Sequence, residues 1–100
     1  MSVPFPNNQA LVINLKTRLD RWCEIFKEFQ NILRLQRIDA IRHEKGWVGC
    51  VESHKKCISI AKEKGYSTVL VLEDDCVLLK KDSFTNEWST IKTWLDNNLD

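Results

Sequence analysis

Apolar residues along this chain form two kinds of pattern, and the two kinds alternate. Residues 10–15 (ALVINL) and 67–72 (STVLVL) are short runs rich in branched aliphatic side chains, which predict buried strands. The second run is apolar at consecutive positions, so we expect both of its faces to be covered, as in the middle of a parallel sheet. Residues 33–41 (LRLQRIDAI) alternate loosely and predict a weaker strand whose polar side chains suit an edge.

Three further segments have apolar residues at steps of three and four, which predicts amphipathic helices. These segments are residues 16–33, 49–64 and 82–100. Thr17 followed by Asp20 resembles an N-cap with an acid three positions on, and Gly65 stands where a glycine would end a helix. Trp88 and Trp94 belong to the apolar stripe of the last segment, so we expect both to face the core.

Strands and helices that alternate in this way predict an α/β fold with a mainly parallel sheet flanked by helices. Residues 1–9 hold both prolines and are expected to form an extended lead-in to a single domain over residues 10–100. Residues 42–49 contain two glycines, which predict a loop.

Composition and charge disfavour several classes of protein. The formal net charge is +1, so electrostatics gives no case for nucleic acid or an anionic membrane as a partner. The N-terminus lacks the features of a secretory leader, and no apolar run approaches the ~18 residues of a membrane span. We therefore expect a cytoplasmic protein without a membrane span. Its four cysteines should be free thiols, unless another route delivers the chain to an oxidising compartment.

Three adjacent acids, Glu73, Asp74 and Asp75, come directly after the second buried run. In open α/β sheets, ligands bind beyond the carboxyl ends of the strands. Carboxylate oxygens suit Mg²⁺ or Mn²⁺, which commonly bridge protein acids to a substrate phosphate. Acids are also common in helix caps and solvated turns. The pattern therefore predicts either a divalent metal site or a capping turn at this edge of the sheet.

Residues 46–54 (GWVGCVESH) allow two interpretations. Gly49 would let a ligand approach the start of a helix, where free N–H groups favour an anion, and Ser53 and His54 would face that ligand. The simpler interpretation places the cysteines of this helix and His54 on a face that packs into the core.

The same helix raises the question of zinc. Its spacing places three possible ligands on one helical face, namely Cys50, His54 and Cys57, and Cys23 or His43 would be a distant fourth. Structural zinc sites usually use short paired spacings such as C-x2-C. No such pair occurs here, so the spacing disfavours zinc.

Asn14 and Arg18 lie where a first strand-to-helix connection would meet a nucleotide, and Arg21 lies one turn into the helix. The simpler alternative leaves the arginines in solvent, paired with Asp20 or Glu24. The sequence contains no glycine-rich dinucleotide motif, no phosphate-binding P-loop and no G-x-S-x-G elbow. The absence of these motifs disfavours dinucleotide-binding proteins, P-loop proteins and α/β-hydrolases.

Taken in order, four blocks of this sequence resemble those of one enzyme family. The blocks are VINLKTRLDRW, RIDAI, GWVGCVESHKKCISIA and VLVLEDD, within residues 11–79. They resemble the conserved blocks of glycosyltransferase family 25, which includes bacterial lipooligosaccharide galactosyl- and glucosyltransferases and procollagen galactosyltransferases. Each block alone is weak, but four in the right order and spacing are fairly specific.

The resemblance implies a GT-A-like (Rossmann-like) fold that uses a UDP-hexose donor with Mn²⁺ or Mg²⁺. It implies transfer of galactose or glucose to a hydroxyl of a glycan or protein, although no catalytic base stands out. It assigns the donor to Asn14, Leu15, Arg18, Arg21, Gly49, Ser53, His54, Glu73 and Asp74. It assigns the metal to Glu73 and Asp75, with Asp75 as the main ligand.

The length of the chain bears on how much of a GT-A domain it can form. A GT-A domain usually needs roughly twice this length, within the ~200–250 residues of a larger α/β domain. We therefore expect the nucleotide-sugar half of such a domain, as a fragment, a shortened form or a homodimer that completes its sheet. Two alternatives stay open. One is a module that binds the nucleotide sugar without turnover, and the other is an interaction domain whose tryptophans form a partner surface.

Overall fold

A computed structural model describes residues 3–78 and 81–98 of the chain. Within these ranges the elements are β1 (Gln9–Asn14), α1 (Leu19–Phe29), β2 (Arg34–Asp39), α2 (Gly46–Glu63), β3 (Val71–Glu73) and α3 (Lys81–Asn98). The three strands pair in parallel, in the order β2-β1-β3. The predicted α/β fold with a parallel sheet flanked by helices is therefore confirmed.

β1 is the central strand, and its side chains alternate between two helical layers. Ala10 and Val12 pack in one cluster with buried side chains of α1, whereas Leu11 and Ile13 pack in another with Cys57 of α2. Successive side chains of a strand point to opposite faces. The unbroken apolar run of β1 is therefore what a strand covered by helices on both faces requires.

β3 lies at an edge of the described sheet, so the central position predicted for residues 67–72 is wrong. The strand is only three residues long and pairs with β1 alone among the described strands. Its surroundings still explain the apolar pattern, because Leu70 and Leu72 pack on the α1 side while Val69 and Val71 pack on the α2 side. An apolar run indicates that both faces of a strand are covered, but it does not indicate whether the strand lies at the centre or at the edge of the sheet. The weaker strand, β2, takes the predicted edge position.

α1 is shorter at both ends than the helix predicted over residues 16–33. Thr17 is not its N-cap, because the position before the helix is Arg18 and no side chain caps it there. Beyond the other end, Asn31 adopts a φ of 68°. Asparagine tolerates this left-handed conformation better than most residues, which lets the chain turn toward β2.

α2 begins earlier than predicted, because residues 46–49 form its first turn instead of a loop. The carbonyl of Lys45 accepts hydrogen bonds from the N–H groups of Val48 and Gly49, at 3.0 and 3.3 Å. The two glycines of this segment favour a loop in the sequence, yet both adopt helical backbone in the structure.

The end of α2 agrees with the prediction at Gly65, which has a φ of 74°. Its N–H bonds to the carbonyl of Lys62, and the N–H of Tyr66 bonds to the carbonyl of Ala61, both at 3.0 Å. This pair of bonds is a Schellman motif, which requires a left-handed residue just past the helix.

α3 packs on the same face of the sheet as α1. The ring centroids of Phe84 and Phe29 lie 5.9 Å apart in an edge-to-face arrangement. The inward side of α3 runs through Phe84, Trp88 and Lys92 at steps of four, and Lys92 is only 1% exposed. Trp94 lies off this line and is 60% exposed, so its predicted place in the core is wrong.

The cysteines and the apolar character of the helices are both visible in the fold. The four cysteines, Cys23, Cys50, Cys57 and Cys76, are all free thiols. Among the described helices, none combines the length and the apolar character needed to cross a bilayer.

The topology gathers polar residues at one edge of the sheet. α1 leads from β1 to β2 across one face, whereas α2 leads from β2 past β1 to β3 across the other. The connections therefore diverge between β1 and β3, which makes this a topological switch point. In the strand register Asn14 pairs with Asp39, and Ile13 pairs with Glu73. The carboxyl ends of all three described strands thus lie at the same edge of the sheet, beside the switch point.

Candidate functional site

A cleft of about 250 Å³ lies at the carboxyl ends of the strands, beside the switch point between β1 and β3. The segment after β1, the segment after β2, the first turns of α2 and the end of β3 all line it. Open α/β sheets bind their ligands at this position. The location of the cleft therefore results from the topology of the fold.

Most of the residues predicted for the site line this cleft. Leu15 and Arg18 come from the segment after β1, Arg21 comes from the first turn of α1, and Gly49 and Ser53 come from α2. Glu73 and Asp74 come from the end of β3. Asn14 lies below the cleft, where it contacts Asp74, and His54 lies beside it, near Cys50. Asp75 is exposed and is not among the lining residues.

Asn14 ties the strands and α1 together beneath the cleft. Its side chain is buried, and its amide nitrogen donates to Oδ2 of Asp74 at 2.8 Å and to the carbonyl of Arg18 at 3.1 Å. Its amide oxygen accepts from Nε of Arg37 at 2.8 Å. Both donor hydrogens of the amide are therefore used, as a buried amide requires. Asn14 supports the cleft from inside the protein.

Asp74 is held on both of its carboxylate oxygens. Its Oδ2 accepts from Asn14, and its Oδ1 lies 3.5 Å from Nη1 of Arg21. The Asp74 side chain is 13% exposed. A second acid at the same edge, Asp39, is paired with Arg37, and this hydrogen bond lowers the pKa of Asp39. These two acids are therefore already neutralised by protein cations.

Ser53 and Gly49 hold the segment after β2 against α2. Oγ of Ser53 accepts from the N–H of Ile41 at 2.8 Å and donates to the carbonyl of Gly49 at 2.7 Å. A Cβ atom at position 49 would lie 2.6 Å from the carbonyl oxygen of Ile41. The glycine thus makes room for the protein's own backbone, and the serine hydroxyl is occupied by backbone partners.

Arg18 forms an exposed pair with Asp20, as the simpler interpretation of this segment predicts. Nε and Nη2 of the guanidinium each lie 3.0 Å from a carboxylate oxygen. This hydrogen bond with Arg18 lowers the pKa of Asp20 to about 2. Arg21 differs from that interpretation, because its partner is Asp74.

Residues 41–43 supply part of the cleft that the sequence did not reveal. Arg42 is a third arginine at the site, and its Nη2 lies 3.5 Å from Oγ1 of Thr17. Nδ1 of His43 accepts from the N–H of Lys45 at 3.0 Å, so a neutral ring carries its proton on Nε2 and acts as a donor. The available signal was basic residues directly after a predicted parallel strand. The described lining holds three arginines and two acids. Arg18 and Arg21 already pair with Asp20 and Asp74, whereas the described partner of Arg42 is a neutral hydroxyl, so Arg42 is the arginine that favours an anionic ligand.

Cys50, His54 and Glu73 form a separate group at the side of the cleft. Sγ of Cys50 donates to Oε1 of Glu73 at 3.8 Å, and one donor atom from each of the three residues lies within 4.8 Å of the others. The charge of Glu73 raises the pKa of the Cys50 thiol. The predicted core-facing stripe is correct only for Cys57, since Cys50 is exposed and His54 is half-buried.

Comparisons with protein-family models, curated proteins and solved structures gave no match for this chain. The resemblance to glycosyltransferase family 25 therefore stays a prediction that rests on the four sequence blocks. What the structure adds is a cleft at the ligand edge of a parallel α/β sheet, whose described lining includes three arginines and two acids.

Proposed function

We propose that this chain binds a UDP-hexose and serves transfer of galactose or glucose from it to a hydroxyl of a glycan or protein. The order of the four sequence blocks supports the proposal. The observation that carries it is the cluster of Arg18, Arg21 and Arg42 around a cleft at the switch point of the sheet. A nucleoside diphosphate is an anion of the kind that such a cleft favours.

The diphosphate would bind between the arginines and the start of α2. Guanidinium groups form charge-assisted, often bidentate, hydrogen bonds with phosphate oxygens. The N–H groups of Gly46 and Trp47 precede the first hydrogen bonds of α2, which join Val48 and Gly49 to the carbonyl of Lys45, and Gly46 lines the cleft at this end. Both features favour the same ligand charge, although they come from different parts of the sequence.

The proposal includes Mn²⁺ or Mg²⁺, which would neutralise charge on the departing diphosphate. Among the described acids of the cleft, Asp74 has both oxygens occupied by Asn14 and Arg21. The Glu73 carboxylate instead accepts one long hydrogen bond, from the Cys50 thiol. Glu73 therefore suits the role of an oxygen ligand. Asp75 is its predicted partner and is exposed directly after it.

The reaction would break the bond between the anomeric carbon and the diphosphate oxygen and form a new bond to the acceptor oxygen. The acceptor hydroxyl loses its proton in the process. His43 does not suit the role of base, because its Nδ1 is occupied and its Nε2 carries the proton in the neutral ring. The contribution of this chain is to hold and polarise the donor.

Calorimetric titration of the chain with UDP in the presence of Mn²⁺ tests the proposal. We expect one UDP per chain and roughly ten-fold weaker binding in Arg18→Gln, because one charge-assisted contact is lost. Arg34→Gln is the matched control, since this exposed arginine lies at the start of β2, away from the cleft. An absence of UDP binding by the wild type would refute the proposal.

A second candidate is binding of the nucleotide sugar without turnover. The occupied Nδ1 of His43 favours it, since no described lining group of the cleft stands out as a base. Release of UDP from UDP-galactose or UDP-glucose separates the two candidates. Release above the protein-free rate supports transferase or hydrolase activity, whereas binding without release supports the second candidate.

A further inference from the structure

One group of side chains at the cleft combines the Glu73 carboxylate with a thiol and an imidazole that the proposed function does not use. Cys50 and His54 lie four residues apart on α2, so their side chains share one face of the helix. Glu73 reaches the same place from the end of β3, 23 residues along the chain from Cys50. The three donor atoms lie within 4.8 Å of one another.

These distances are close to those of a metal site. Zinc bonds of about 2.3 Å to sulfur and 2.0–2.2 Å to nitrogen or oxygen, in a tetrahedron, place the donor atoms roughly 3.4–3.6 Å apart. Sγ of Cys50 and Oε1 of Glu73 are already 3.8 Å apart. Two of the side chains are exposed and one is half-buried, so small rotations about side-chain bonds can close the remaining distance.

We propose that Cys50, His54 and Glu73 form a three-ligand site for a zinc-type divalent ion at the wall of the cleft. Thiolate and imidazole ligands select Zn²⁺ or Co²⁺, whereas Mg²⁺ prefers sites made of oxygen ligands alone. Three protein ligands also leave a fourth position for water or a substrate group, as in catalytic zinc sites. Cys50 and Glu73 both line the cleft, so this position is accessible to a ligand bound there.

The charges around the site suit a divalent cation. The thiol of Cys50 donates its proton toward the Glu73 carboxylate. A bound ion would take the place of this proton, which leaves to solvent, and thiolate and carboxylate together would balance the two positive charges. Asp74, the nearest acid in sequence, is already held by Asn14 and Arg21, so it does not compete for the ion.

The sequence alone disfavours zinc because it contains no short paired spacing of ligands, and it offers Cys57, not Glu73, as the third ligand of the helical set. Cys57 is fully buried in the cluster with β1, so its thiol does not reach the cleft. Glu73 takes its place only because β3 pairs with β1. This site shares Glu73 with the Mn²⁺ or Mg²⁺ of the proposed function, but it does not depend on UDP binding.

Titration of the reduced, metal-free chain with Co²⁺ tests this site. We expect one Co²⁺ per chain, a cobalt–thiolate charge-transfer band in the near ultraviolet and the intense visible bands of tetrahedral cobalt. Equimolar Zn²⁺ should displace the cobalt, whereas a large excess of Mg²⁺ should not. Cys50→Ser should abolish the charge-transfer band. His54→Gln and Glu73→Gln should weaken binding by at least roughly 100-fold, because loss of an outer-shell partner alone already costs roughly 10- to 100-fold.

Cys23→Ser is the matched control, because Cys23 is an exposed thiol on α1 and its replacement should leave the cobalt spectrum unchanged. Far-ultraviolet circular dichroism of each variant shows whether it is folded. Loss of the band in Cys23→Ser, its survival in Cys50→Ser, or no thiolate band in the wild type would each overturn the site. Cobalt binding without any UDP binding would support this site while refuting the proposed function.

Discussion

Glu73 and Asp74 are neighbours in sequence, yet they belong to two clusters of opposite character. Asp74 joins the saturated cluster, defined as Asn14, Arg21, Arg37 and Asp74, whose polar atoms bond to one another. Glu73 joins the open cluster, defined as Cys50, His54 and Glu73, whose donor atoms lie close together in side chains that are exposed or half-buried.

One edge of the sheet therefore carries both a cluster that stabilises the fold and a cluster that is available to bind a ligand. Buried polar groups are costly unless they are paired, so the saturated cluster stabilises the strands and offers little to a ligand. Exposed donors cost the fold almost nothing when they are left unpaired. The open cluster can therefore keep its capacity to bind an ion. Substitutions in the two clusters should separate stability from binding.

Asn14→Ala should give the largest loss of stability. It removes three side-chain hydrogen bonds and takes one partner each from Asp74 and Arg37, in a place where Asn14 is only 2% exposed. We expect the free energy of unfolding to fall by about 2–4 kcal/mol. Urea denaturation detected by circular dichroism measures it. Cys50→Ser in the open cluster should stay within about 0.5 kcal/mol of wild type. Equal losses in the two variants would break the distinction.

Gly49→Ala should give the next largest effect. The added Cβ would lie 2.6 Å from the carbonyl oxygen of Ile41, so the segment after β2 must move away from α2. Overpacking of this kind costs about 1–3 kcal/mol, partly offset by the better helix propensity of alanine. Gly46→Ala is the control, because a Cβ there meets no atom within 4 Å. If both variants unfold at the same urea concentration, the close approach at position 49 is not limiting.

Ser53→Ala should destabilise the protein by about 1–2 kcal/mol, because the N–H of Ile41 loses its acceptor. The loss should be local, so amide hydrogen exchange at Ile41 should accelerate more than exchange in β1. Ser59→Ala is the matched control on the exposed side of α2. Unchanged exchange at Ile41 would mean that the serine does not hold the segment in place.

The Arg18–Asp20 pair should have the smallest effect, and it is best observed by pH. The pKa of Asp20 is lowered by its hydrogen bond with Arg18, to about 2. A lowered pKa in the folded state means that the pair stabilises the fold above the ordinary pKa of aspartate, about 3.9, and that this contribution is lost as the pH falls toward 2.

Carbon-13 NMR of the side-chain carboxyl groups measures this titration. Arg18→Gln should move the midpoint of Asp20 upward toward the ordinary aspartate value, whereas Lys27→Gln, at the far end of α1, should leave it unchanged. A midpoint near the ordinary value in the wild type would show that the exposed pair does not persist in solution.

Local pattern was enough to predict much of the fold. The consecutive apolar residues of β1 and the three-and-four spacing of the helices indicated the elements and the α/β class. Gly65 was correctly predicted to end α2, because a left-handed residue is needed there. Glu73 and Asp74 line the cleft at the ligand edge, since a parallel strand delivers the residues at its carboxyl end to that edge, whereas Asp75 does not line it.

Local pattern could not predict which side chain meets which. Asp74 is held by Asn14, 60 residues away in sequence, and Glu73 meets Cys50 across 23 residues. Periodicity tells which face of an element is covered, but the element that covers it is selected by strand order. Trp94 shows the same limit, since it belongs to an apolar stripe at helical spacing and yet is exposed, whereas Trp88 of the same stripe lies on the inward side of α3.

The sequence by itself determined the elements, the layered α/β class and the edge of the sheet that carries the polar residues, because these depend on short-range steric and burial preferences. Only the tertiary structure decided that β1 is central, that Asp74 is saturated and that Glu73 is open beside Cys50 and His54. The physical reason is that strand pairing brings distant donors together, and no local preference encodes those distances.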